Sequence, residues 1–121
     1  MLPNGSMKIL ISNRKLKRVI EEDAERTKRY GSEMAKKIKL RMDALVAAES
    51  LADFWPSKSG PERCHELKGD LTGTFSMDLK HPYRLLFWPV DMPKGLEVAD
   101  EKQRWQAIKA VEIISIEDTH G

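Results

Sequence analysis

The sequence predicts an α+β fold: an N-terminal strand, a two-helix hairpin, then a curved antiparallel sheet. Three observations carry that prediction. A short β-rich run opens the chain at Lys8 to Ser12, two stretches with apolar residues at helical spacing follow, and the remainder alternates with a period of two between turn signals. A helical hairpin covers one face of such a sheet and leaves the other partly open for polar residues of neighbouring strands. With 121 residues, 40% of them hydrophobic, the chain makes one domain around a single core. That domain spans residues 7–121. Met1–Ser6, ahead of a second methionine at Met7, reads as a tag remnant or an alternative start.

The elements follow in order. Ser12 or Asn13 caps a first long helix, in which Leu16, Val19, Ile20, Ala24 and Thr27 recur at helical spacing. Glu22–Arg26 and Glu25–Arg29 stand at i, i+4 within it. Gly31 stops this helix and Ser32 caps the next, which runs from about Glu33 to Glu49 with Met34, Ile38, Met42, Leu45 and Val46 on its apolar stripe. Leu51 to Pro61 is a connecting loop that Phe54 and Trp55 pin to the core. Thr74 to Leu79 is a strand with Phe75, Met77 and Leu79 on one face. His81-Pro82 turns it into Tyr83–Val90, where Pro89 ends the regular pairing or marks an edge. Asp91 to Gln106, long and charged, reads as a surface insertion, and Ala107 to Ile116 as a buried strand.

Composition excludes several classes. The single cysteine, Cys64, allows no internal disulfide, suits a reducing cytoplasm, and reads as a small buried strand residue. Three histidines and one cysteine without paired spacing form no recognisable zinc site, so neither a metal nor a cofactor is expected. The apolar runs are too short to span a bilayer and no signal-peptide pattern is present, which predicts a cytoplasmic protein without a membrane partner. The net charge of +2 hides an asymmetry: residues 1–41 hold 12 Lys/Arg against 5 Asp/Glu, while residues 42–121 hold 9 against 14. A basic first third points to an anionic partner, nucleic acid before membrane.

The stretch Arg63-Cys-His-Glu-Leu-Lys-Gly-Asp70 reads as a short strand with one buried side, closed by a Gly69-Asp70 turn. His65 and Leu67 share one face, and Glu66 and Lys68 the other, although the turn bends the backbone at Lys68 and lets it approach His65. A histidine and a lysine there can hold a phosphate and move a proton on or off it. Taken alone, the eight residues fit a solvated strand edge better.

Three segments together alter that balance. His65-Glu-Leu-Lys-Gly-Asp70, Tyr83-Arg-Leu-Leu-Phe87 and Ile116-Glu-Asp-Thr-His120, behind the strand–helix–helix start, resemble the RelE/ParE superfamily of type II toxin–antitoxin toxins. Within it they are most similar to the HigB-like (plasmid killer) branch, over about residues 7–121. The resemblance implies a RelE-like fold and a ribosome-dependent mRNA endoribonuclease, or mRNA interferase, which inhibits translation without metal or cofactor. The RNA's own 2′-hydroxyl attacks the adjacent phosphate, leaving a cyclic phosphate and a 5′-hydroxyl. By motif position the catalytic residues are His65, Lys68, Arg84, Asp118 and His120, with RNA contacts at Arg63, Lys80 and Thr119. Implied partners are a cognate antitoxin of the helix-turn-helix type, the ribosome and mRNA, with operator DNA reached only through the antitoxin complex.

Residue chemistry leads to the same positions. In-line attack needs a base for the hydroxyl, an acid for the leaving oxygen and cations on the phosphorane charge. His65 and His120 suit the proton transfers, in either assignment. Lys68 and Arg84 suit the charge, and Asp118 can orient a histidine or act as the base. Thr119 stands where the family commonly carries an aromatic residue that stacks on a base, a contact worth about 1–3 kcal/mol. Tyr83, Trp88 and Trp105 are the aromatics able to replace it. Two other readings remain: a ParE-like toxin that binds gyrase without catalysis, and a decayed toxin that only binds its antitoxin or operator DNA.

Overall fold

The computed structural model describes residues 7–96 and 100–118. Met1–Ser6, Thr119 and His120 lie outside them. The strands are β1 (Lys8–Ile11), β2 (His65–Glu66), β3 (Phe75–Asp78), β4 (Tyr83–Pro89) and β5 (Ala110–Asp118), with helices α1 (Arg14–Glu21), α2 (Asp23–Ala47) and α3 (Glu101–Ala107). The fold is α+β, with the strands in one sheet of order β1-β5-β4-β3-β2. The strands after the hairpin pair antiparallel, as expected. β1 joins them in parallel with β5, making the sheet mixed. The intervening chain is long enough to supply the crossover that parallel pairing demands.

Asn13 caps α1, its side-chain oxygen accepting from the Leu16 amide at 2.8 Å. The predicted single helix up to Tyr30 is broken at Glu22, whose backbone is extended (φ −107°, ψ 116°). The break swings Arg26 inward, 3% exposed, where it pairs with Asp23 and donates to the Ile20 carbonyl. In place of the two predicted ion pairs, Arg26 takes Asp23, and Arg18 takes Glu25 at 3.0 Å. The Arg26 guanidinium holds the Asp23 carboxyl below the usual carboxylate range.

The hairpin itself is as expected. Asp23, Arg26 and Thr27 line one cavity with Ser32, Ala35 and Lys39, so the chain doubles back at Gly31. Gly31 sits at φ +81°, ψ 163°, a region open in practice only to glycine. A Cβ there would meet nothing within 4 Å, so the obstacle is purely backbone strain. Gly31→Ala is expected to lower stability by about 1–3 kcal/mol, read as a fall in melting temperature; an unchanged melting temperature would contradict it.

The core packs Met34, Ile38, Met42 and Leu45 of α2 against Phe75, Met77, Leu85, Phe87, Val111 and Ile113 of the sheet. Val46 lies outside the stripe, 51% exposed. Phe54 is buried and Trp55 packs on the core, pinning the loop as predicted. Pro89 is the last residue of β4, which lies inside the sheet, so it ends the ladder rather than marking an edge. Cys64 is fully buried, and desolvation pushes its thiol pKa far up, as befits a core residue.

The 91–106 insertion is where the sequence reading misses. Its second half forms α3, opened by a capping box between Asp100 and Gln103. This helix carries Trp105 into the core, 1% exposed, with ring centroids 5.3 Å from Trp55 and 5.5 Å from Phe75. One tryptophan among charged residues leaves too faint a pattern to mark a buried helix.

Candidate phosphate-binding site on the helix-free face

Strand alternation determines which side chains share the face opposite the helices. Phe75, Met77, Leu85, Phe87 and Ile113 point into the core. Their neighbours point away. His65, Ser76, Leu86 and Ser115 form one row across β2, β3, β4 and β5. Asp78, Arg84 and Glu117 form the row on one side of it, and Trp88 and Glu112 the row on the other. The count is kept across β5 by a bulge: Leu86 pairs with Ser115 but Phe87 with Ile113, so Ile114 is the extra residue. Without it Ser115 and Glu117 would face the core.

His65 is oriented by its neighbour. Its Nδ1–H donates to the Arg63 carbonyl at 2.8 Å. A carbonyl only accepts, so in the neutral ring Nδ1 carries the hydrogen and Nε2 keeps its lone pair for a proton in transit. Arg63 itself holds a left-handed backbone (φ 46°), uncommon outside glycine.

Asp78 joins the two arginines. Its Oδ2 lies 3.4 Å from Arg63 Nε and its Oδ1 lies 3.6 Å from Arg84 Nε. Arg41, buried on α2, donates from Nε to the Asp78 carbonyl at 2.7 Å and from Nη2 to the Pro61 carbonyl at 3.1 Å. The Asp78 amide donates to the Glu62 carbonyl at 2.8 Å. Helix, loop and strand end are thereby tied where the arginines meet. Neither Asp78 nor Arg41 emerged from the sequence. Asp78 did leave a signal: it and Arg84 stand equally far from the residue-81 turn with opposite charges, the mark of a cross-strand pair.

The remaining candidates divide. Lys68 precedes the short 3₁₀ turn Gly69–Leu71, exposed and without a side-chain partner among the described residues. Lys80 is drawn to the helical hairpin, its Nζ 2.9 Å from Glu33 Oε2, and this ammonium keeps the Glu33 carboxyl below its ordinary range. Asp118 pairs with Tyr83, whose ring meets Tyr30 of α2 edge-on at 6.4 Å, so the pairing puts Asp118 on the helix side at the end of β5. Glu117 is the acid that β5 turns to the Arg84 face, and it accepts from Ser115 Oγ at 2.6 Å. Of the three aromatics, Trp105 belongs to the core and Tyr83 to the helix side. Trp88 shares the face of His65 and Arg84, 42% exposed, its Nε1 donating to Glu112 at 2.9 Å.

Among the described residues no group of three His, Cys, Asp or Glu side chains is placed to hold a metal ion, and no helix is long and apolar enough to cross a membrane.

No protein-family model and no curated protein matches the chain. Solved structures do. A YoeB dimer from Staphylococcus aureus aligns with a TM-score of 0.52 at 18% identity, over 92% of this chain and 94% of the other. A YoeB/ParE toxin from Agrobacterium tumefaciens aligns with 0.53 at 17%, over 94% and 100%. A YoeB–YefM complex from Staphylococcus aureus gives 0.50 at 18%, over 92% and 94%. At such identities the likeness establishes a common fold.

Proposed function

We propose that this protein is a toxin of a type II toxin–antitoxin module, of the HigB-like branch, that cleaves mRNA on the ribosome by 2′-hydroxyl attack. The observation that carries this reading is the helix-free face, which His65, its Nε2 without a partner among the described residues, shares with Arg84 and the Arg63–Asp78 pair, on a fold shared with YoeB-type toxins. His65 transfers a proton at Nε2, and the two guanidiniums meet the charge that develops on the phosphorane oxygens. Lys68 and His120 complete the set from the β2 turn and the C-terminal tail. The basic first third serves ribosomal RNA and a helix-turn-helix antitoxin. The YoeB–YefM structure is in keeping with a protein partner of this kind.

Mapping mRNA 5′ ends after brief induction in cells tests the reading. Codon-registered cuts that vanish in Lys68→Ala and His120→Ala support it. A second reading, a ParE-like gyrase-binding toxin, draws on the YoeB/ParE designation of one similar structure. Growth arrest with intact mRNA and inhibited supercoiling would select it, and no arrest at all would indicate a decayed toxin.

Trp88 takes the stacking role that Thr119 cannot fill. Trp88→Ala is expected to weaken binding of a 2′-O-methyl oligoribonucleotide by about 1–3 kcal/mol, measured by fluorescence anisotropy. Undiminished affinity would rule the stacking role out.

A further inference from the structure

We infer that Asp78 is a positioning residue that makes Arg63 and Arg84 into one two-armed clamp for a phosphodiester. The inference rests on the reading of this face as a phosphate-binding site and adds a residue that the motifs do not include.

Three observations support it. First, the carboxylate meets both arginines through Nε, at 3.4 and 3.6 Å. An arginine held by Nε keeps its terminal Nη groups forward, and these are the donors that fit phosphate oxygens. Arg63 leans one of them, Nη1, towards the Lys58 carbonyl at 3.5 Å, and Arg84 makes no further side-chain bond among the described residues. Second, Asp78 is half-buried. Its side chain is 30% exposed, but its Oδ1 is shut off from solvent and has no hydrogen-bond partner among the described residues, so the arginine charges compensate the burial of that oxygen. Third, its backbone is fixed from both sides, by Arg41 on its carbonyl and Glu62 on its amide. The carboxylate therefore stands on an anchored backbone, whereas the arginines it holds are long and flexible.

The left-handed backbone at Arg63 goes with this arrangement: it brings the half-exposed side chain to Asp78.

The test exploits a sign. Coulomb attraction alone predicts that removing an anion from a phosphate site tightens binding. Positioning predicts the reverse. In the full chain, Asp78→Asn is expected to bind a non-cleavable 2′-O-methyl oligoribonucleotide about tenfold more weakly than wild type at equal ionic strength, the value of one lost charge-assisted hydrogen bond. Asp78→Glu keeps the charge but displaces the carboxylate by one methylene, and it is expected to weaken binding as well. Melting temperatures identify any misfolded variant, and nitrogen–proton NMR of the arginine Nε groups reports the clamp directly. The Arg63 and Arg84 Nε signals are expected to shift in Asp78→Asn without RNA, and in wild type on adding it. Equal or tighter binding by Asp78→Asn, or wild-type binding by Asp78→Glu, overturns the positioning role while leaving the phosphate site standing. Wild-type Arg63 and Arg84 signals that ignore the oligonucleotide overturn the site, and the clamp with it.

Discussion

His65→Ala is expected to slow the proposed cleavage of ribosome-bound mRNA by about 10²–10⁴-fold, the usual contribution of a positioned acid or base. That corresponds to roughly 3–5 kcal/mol of lost transition-state stabilisation. The loss should fall on the cleavage step, because in the proposed site the phosphate contacts come from Arg84 and Arg63, which Asp78 holds without the histidine. Single-turnover cleavage, with wild type and variant at saturating ribosome, separates this from weaker binding. Thermal stability should change little, since the half-exposed ring makes one side-chain hydrogen bond, to the Arg63 carbonyl. His65→Ala retaining the wild-type rate would remove the histidine from the mechanism and move the proton transfers to the C-terminal tail.

Trp105→Ala is expected to cost about 3–5 kcal/mol of folding stability, the range for emptying a large aromatic site in a core. For a chain of this size that lowers the melting temperature by roughly 10–20 °C. Against a typical total of about 5–15 kcal/mol it leaves a marginal protein. The size follows from the packing: the indole touches both Trp55 and Phe75 edge-on, so its loss loosens the loop after α2 and the β3–β4 region together. Trp105→Phe should cost much less. It keeps a ring in the slot and removes Nε1–H, which is buried without a hydrogen-bond partner among the described residues. Chemical denaturation of the two variants beside wild type measures both values. A Trp105→Ala protein as stable as wild type would mean that α3 is a surface ornament after all.

Those two residues mark the limits of legibility. His65 could be singled out because strand alternation and residue chemistry are local, readable from a few neighbours. By the same logic the sequence determined the Gly31 reversal, the Asn13 cap, the methionine-bearing stripe of α2, the burial of Cys64 and the Phe75–Met77–Leu79 face. Each depends on backbone preference or on a period that the chain carries with it. Tertiary structure alone decided the rest. That β1 lies parallel beside β5, that α1 breaks at Glu22 so Arg26 can be buried, and that Trp105 enters the core all depend on partners far along the chain. The site divides in the same way. His65 and Arg84 were visible as residue types, but which acid faces Arg84 is decided by one bulged residue on β5, which turns Glu117 to that face. Asp78 is held between two arginines because Arg41, from the helical hairpin, grips the Pro61 carbonyl before Arg63 and the Asp78 carbonyl itself. Local periodicity gives each strand its faces; only long-range packing sets which strands meet, in what register, and hence which charges share a site.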